Sequence, residues 1–183
     1  MFFELNDWKL KGYLKNYFQH SGLSWLWLTV LFLILDQITK QYVAMNIGLY
    51  ERIPVTAFFN ITYAQNPGAA FSFLADQEGW QRWFFSTIAT IASVIFIVWL
   101  AKTPKENKIL SIAFALLLSG ALGNLIDRVL FGYVIDFLDF YYDTYHWPAF
   151  NVADSAIFIG AALMIVDSFK NDEQKVNKIQ DKV

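Results

Sequence analysis

Four long apolar runs are separated by two polar, aromatic connections and one short basic turn. After a polar opening over 1–22 with Lys9, Lys11 and Lys15, the first apolar run predicts a helix over about 24–43. At ~1.5 Å per residue that length crosses a ~30 Å hydrocarbon core. The run ends in Asp36, Gln37 and Lys40 and not in a small-residue cleavage site, so it reads as a retained helix. Further spans are predicted over about 83–100, 109–130 and 148–166, the second flanked by Trp80, Trp83 and Trp99 where interfacial aromatic belts lie. Between the first two spans, over about 45–79, the period falls to two. In FFNITYA (58–64), Phe59, Ile61 and Tyr63 alternate with Asn60, Thr62 and Ala64, which is strand behaviour. Asn66-Pro67-Gly68 is a turn signal, and AAFSF (69–73) resumes an extended pattern. A small sheet outside the membrane is expected, because an open sheet edge cannot face lipid. The connection over about 131–147 reads as a loop, and 170–183 as a charged tail.

The expected fold is thus an all-α integral membrane protein, a single domain over 1–183 with four transmembrane helices and a small extracytoplasmic β element. Composition agrees: 56% of the residues are hydrophobic and 16% charged, against ~25% charged in a typical soluble domain. The net charge of -2 excludes nucleic acid as a partner, since phosphate binding needs a basic face. The absence of cysteine removes thiol catalysis, zinc thiolates and disulfides. His20 and His146 stand too far apart for a metal pair on one helix turn, so neither a metal nor another cofactor is expected. Lys and Arg number three in the 1–22 tail, one (Arg52) in the 44–79 connection, three in the 101–108 turn, none in 131–147 and four in the C-terminal tail. Basic segments mark the cytoplasmic side, which puts both termini and the short turn inside and the two long connections outside.

That topology gathers the polar groups at one membrane surface. Asp36 and Lys40 fall near the exit of the first span, Asn124, Asp127 and Arg128 near the exit of the third, and Asn151 and Asp154 near the entry of the fourth. Ionisable groups near lipid are expensive, so such a cluster points to function. Asp136 and Asp154 are the leading pair: two close carboxylates share a proton, one taking a proton from water while the other donates to a carbonyl oxygen. Asp127 competes with Asp136, and spacing alone leaves either able to meet Asp154. Each residue also has a plainer reading. Asp36 and Lys40 make an i, i+4 ion pair, Asn66 is a turn residue, Asn151 a helix cap, and Arg128 a side chain reaching for lipid phosphate. Gly120, Asn124 and Arg128 share one helical stripe. A transporter or flippase path, a non-catalytic scaffold and a Ser72–Lys40 protease are the competing classes.

The strings DQITK (36–40), NPGAAFSF (66–73), GALGNLIDR (120–128), GYVIDFLDF (132–140) and FNVADSAI (150–157) together resemble those of the bacterial lipoprotein signal peptidases, signal peptidase II, in order and spacing. The resemblance covers the chain from Trp25 to Val166. It implies a metal-free aspartyl protease of the inner membrane that removes prolipoprotein signal peptides just before a diacylglyceryl-modified cysteine, with its site at the extracytoplasmic face. It further implies Asp136 and Asp154 as the catalytic pair, settling against Asp127. Asp36, Lys40, Asn66, Gly120, Asn124, Arg128 and Asn151 are implied as supporting or substrate-binding positions. Membrane lipids and globomycin-like cyclic peptides are the other partners it implies.

Overall fold

Helix α3 (Lys108–Leu130) is the axis of the molecule, and its sequence explains why. Asn107 caps its first turn, the side-chain oxygen accepting from the Leu110 amide at 3.2 Å. Ala113, Ala115, Gly120, Ala121 and Gly123 then let neighbouring backbones come close. In this computed structural model, which describes Phe18, His20 to Gly68 and Gly79 to Gln180 and only the backbone of 171–180, α3 is 67% buried over its most apolar stretch. The corresponding figure is 17–22% for α1 (Leu26–Asn46, preceded by a 3₁₀ turn at Gly22–Trp25), α2 (Trp80–Lys102) and α4 (Val152–Gln180). The outer three surround α3 and turn apolar side chains such as Ile38, Ile91, Val94 and Phe158 outward. All four helices are long and apolar enough to cross a membrane.

The two ends of the bundle differ. At one, the turn between α2 and α3 is tied to the start of the described chain: the Gly22 amide donates to Thr103 O at 2.8 Å and the Lys105 amide to His20 O at 3.2 Å. At the other, β1 (Arg52–Thr56) and β2 (Phe59–Asn66) from the α1–α2 connection join β3 (Val134–Tyr142) and β4 (Tyr145–His146) from the α3–α4 connection. They form an antiparallel sheet in the order β1-β2-β3-β4. Asn60 faces Asp139 and Ala64 faces Asp136, with a register shift between Ile61 and Ala64. Such a bulge re-aims side chains, and here the end of β2 brings Asn66 to Asp136.

Several expectations need revising. The 131–147 connection is not a loop, for it carries β3 and β4. Val134 to Phe137 are buried on both faces, which erases the two-residue period that marks a half-exposed strand. β1 falls within the β segment expected over about 45–79, its RIPVT lying wholly exposed at the sheet edge with Pro54 where an edge tolerates it. On β2 the alternation is as expected, yet the buried side chains are the polar Asn60 and Thr62. The fourth helix starts at Val152, later than 148, because Asn151 caps it. It also continues to Gln180 through residues read as a tail, where Glu, Gln and Lys favour helix. The AAFSF segment (69–73) lies outside the described residues.

Candidate active site

At the sheet end of the bundle, polar side chains from α1, α3, β2, β3 and the start of α4 interlock. Lys40 is fully buried and its ammonium spends three hydrogens on three acceptors: Asp36 Oδ2 at 2.8 Å, Asp127 Oδ2 at 3.0 Å and Asn124 Oδ1 at 3.0 Å. Asp36 Oδ1 accepts the Ala153 amide at 2.8 Å, so a carboxylate from α1 meets the positive N-terminal turn of α4. Asp127 Oδ1 accepts from Gln37 Nε2 at 2.9 Å and its Oδ2 from the Ile135 amide at 3.1 Å. Asp127 is therefore bound up in fixing the residue beside Asp136. With Lys40 committed in the same way, the Ser72–Lys40 alternative loses its base; Ser72 itself lies outside the described residues.

From Lys40 the network passes through two amides to the aspartates. Asn124 donates its Nδ2 to Asp154 Oδ1 at 2.8 Å while its Oδ1 accepts from Lys40 and from Asn151 Nδ2 at 3.2 Å. Asn151 donates to Asp136 Oδ1 at 2.7 Å, and its backbone amide lies 3.3 Å from Asp154 Oδ2. Its own Oδ1 takes the Asp154 amide at 2.8 Å. This last pair of contacts is a reciprocal cap on α4, so Asn151 caps the helix while its side-chain amide also reaches Asp136. Asn66 completes the set: its Nδ2 donates to Asp136 Oδ2 at 3.0 Å, and its Oδ1 accepts from the Gly68 amide at 2.9 Å, which is the turn.

Asp136 is 3% exposed. Burial pushes its carboxyl up from the ordinary 3.8 to about 7, helped by the Asp154 charge and opposed by the Asn66 and Asn151 hydrogen bonds. Asp136 thus keeps its proton up to near neutrality.

Gly120 lies in the α3–α4 contact, where an added Cβ would overlap the Ala153 carbonyl oxygen. Its role is to let the helix carrying Asn124 approach the helix carrying Asp154. Arg128 sits above the Phe85 ring at 5.4 Å and donates to Asn124 O at 3.3 Å, with its Nε unpartnered. It borders a groove of about 330 Å³ between α2, α3 and α4 whose walls include Phe85, Phe96, Leu117 and Ile157. A second apolar pocket of about 500 Å³ opens beside Asp154, walled by Trp147, Phe150, Phe158 and Ile159. All nine residues singled out in the sequence meet in this region. Gln37, Phe85, Trp147 and Phe150 were missed; Gln37 adjoins Asp36 in DQITK, and the aromatics carry no signal that separates them from a membrane belt.

Comparison with known proteins bears on this arrangement. Residues 28–170 match the family described as Signal peptidase (SPase) II. A lipoprotein signal peptidase of Alteromonas mediterranea is 57% identical over 158 residues, 86% of this chain and 87% of the relative. That of Photorhabdus laumondii is 53% identical over 159 residues, 87% and 95% of the two chains. Among solved structures, a bacterial membrane enzyme determined by the in meso method at 2.3 Å superposes with a TM-score of 0.74 at 36% identity, covering 85% of this chain and 95% of that one.

Proposed function

Because this chain belongs to the signal peptidase II family, which cleaves the signal peptides of prolipoproteins, we propose that Asp136 and Asp154 perform that cleavage as an aspartic dyad. The chain is a multi-pass inner-membrane peptidase of lipoprotein processing. What carries the dyad reading is Asn151, whose side-chain amide donates to Asp136 while its backbone amide donates to Asp154, tying both carboxylates to one residue.

In the proposed reaction Asp154, partly exposed, acts as the base and Asp136 as the acid. Asp154 takes a proton from water as the oxygen attacks the scissile carbonyl carbon, and Asp136 gives its proton to the carbonyl oxygen. The tetrahedral intermediate then collapses: Asp154 passes its proton to the leaving nitrogen and Asp136 recovers the one on oxygen. Asn66 and Asn151 stabilise the carboxylate that Asp136 becomes in the first step. The bond proposed to break is the one before a diacylglyceryl-modified cysteine. Its lipid chains are assigned to the apolar walls of the groove that Arg128 borders. Globomycin-like cyclic peptides are expected to occupy the same site.

We further propose that the sheet end of the bundle faces outward and that the turn over 103–107 and both termini are cytoplasmic, in keeping with Lys102, Lys105 and Lys108 at the turn. The dyad is tested with purified enzyme and a diacylglyceryl-modified prolipoprotein. Asp136→Asn and Asp154→Asn are each expected to lower kcat by about a thousandfold or more while the protein stays folded. Cleavage surviving either substitution would refute the assignment.

A further inference from the structure

On β3, three residues beyond Asp136, a second buried carboxylate takes no part in the mechanism above. Asp139 is 3% exposed and is satisfied by three neighbours: Asn60 Nδ2 on β2 at 3.0 Å, Arg52 Nε on β1 at 3.4 Å, and His146 Nδ1 on β4 at 2.8 and 3.0 Å from its two oxygens. A buried carboxylate needs donors, so Nδ1 carries a proton and the imidazole is fixed in orientation. Tyr141 stacks on it at 5.2 Å.

What His146 anchors is the return of the chain to the active site. From Tyr145 to Asn151 the backbone runs back along β3 as a strap. At its far end Phe150 is held firmly: its carbonyl accepts the Phe137 and Leu138 amides at 2.9 and 2.8 Å, and its amide donates to Leu138 O at 3.1 Å. At the near end the backbone is held by two-residue β4 and by the Trp147 amide on Phe140 O at 2.8 Å. A strand that short is marginal by itself. Between the two ends Pro148 and Ala149 pass over a cavity of about 250 Å³ lined also by Thr62, Ala64 and Asp139, so the middle of the strap has little beneath it. Trp147, carried by the strap and 65% exposed, walls the pocket beside Asp154.

We infer that Asp139 and His146 are a positioning pair for substrate binding: they clasp the near end of the strap to β3 so that Trp147 stays in the wall of the apolar pocket next to Asp154. The inference rests on Asp154 belonging to the active site, as proposed above. Its signature is a change in KM, because the strap's far end, with Asn151 and the aspartates, is held independently by the Phe150 hydrogen bonds and the α4 cap.

The test uses the full chain, purified, with a diacylglyceryl-modified prolipoprotein peptide as substrate. His146→Ala is expected to raise KM about tenfold and to change kcat by no more than about twofold, as expected for lost uniform binding. His146→Asn, whose side-chain amide can replace the Nδ1 donor, is expected to restore KM to within about twofold of the parent. Trp147→Ala is expected to raise KM alone, and the double variant His146→Ala/Trp147→Ala to bind no more weakly than Trp147→Ala, since both act through one wall. Unchanged KM in His146→Ala, failure of His146→Asn to restore it, or KM effects that multiply in the double variant would each overturn the inference. Where His146→Ala yields no folded enzyme, His146→Gln, which sets the donor amide too far out, takes its place with the same expectations. Activity surviving in Asp154→Asn, measured alongside, would instead strike at the dyad, so the two failures are told apart.

Discussion

At the residue scale the most informative side chain is Asp136, whose proton reports on both activity and folding. Its carboxyl is raised from 3.8 to about 7 chiefly by burial, and as the proposed acid it works only while protonated. The rate of cleavage is therefore expected to fall as pH rises through about 7; a pH–rate profile of kcat/KM with no alkaline limb near that value would remove Asp136 from the role of acid. Stability follows the same sign. The folded protein holds this proton more tightly than the unfolded chain, so the contribution is complete below about 3.8 and is lost as pH rises through about 7. Melting temperature in detergent is expected to decline over that window, and Asp136→Asn to remove this part of the pH dependence. The sequence offered five acidic positions between Asp127 and Asp154 and no local means of ranking Asp127 against Asp136. What distinguishes them in the fold is partners remote in the chain: Lys40 and Gln37 on α1 occupy Asp127, and Asn66 on β2 together with Asn151 hold Asp136.

At the scale of elements, the site is a joint between α1, α3 and α4, and two contacts govern it. The first is steric. Gly120 admits no Cβ against the Ala153 carbonyl, so Gly120→Ala forces α3 and α4 apart where Asn124 reaches Asp154. Overpacking of this kind costs about 1–3 kcal/mol; a lowered unfolding midpoint accompanied by a lowered kcat is expected, and wild-type values of both would show that the helices have room. The second is electrostatic. Lys40 stands between Asp36 and Asp127, and Lys40→Ala leaves both carboxylates buried beside one another without their cation. Losing one member of a buried ion network costs about 3–5 kcal/mol, so this variant is expected to unfold at markedly lower denaturant than the parent. Half of this joint was legible, since Asp36 and Lys40 declare themselves at i, i+4 on a helix recognisable by its length and apolarity. β3 was not, because Asp136 and Asp139 interrupt a strand whose buried faces leave no alternation to read.

At the scale of the whole molecule, the ordering of elements puts every connection that builds the site at one end of the bundle. The α1–α2 and α3–α4 connections pair through β2 and β3, whereas the α2–α3 turn packs against His20 to Gly22, near where the described chain begins, at the opposite end. Given one orientation of one helix, the side of the membrane on which the dyad stands is settled for all. The turn carries Lys102, Lys105 and Lys108, while the cations at the sheet end are pinned in place: Arg52 beside Asp139, Arg82 on Val129 O, Arg128 over Phe85. The proposed orientation, with the turn cytoplasmic and the sheet outward, follows from where the unpinned positive charge lies. The parent chain has no cysteine, so single cysteines report without background. Thr56→Cys, exposed on β1, is expected to react with a membrane-impermeant maleimide in spheroplasts, and Lys105→Cys, exposed in the turn, only after permeabilisation. The reverse pattern would place Asp136 and Asp154 on the cytoplasmic side, away from the surface at which a translocated lipoprotein presents its cleavage site, and would leave the dyad without access to its substrate.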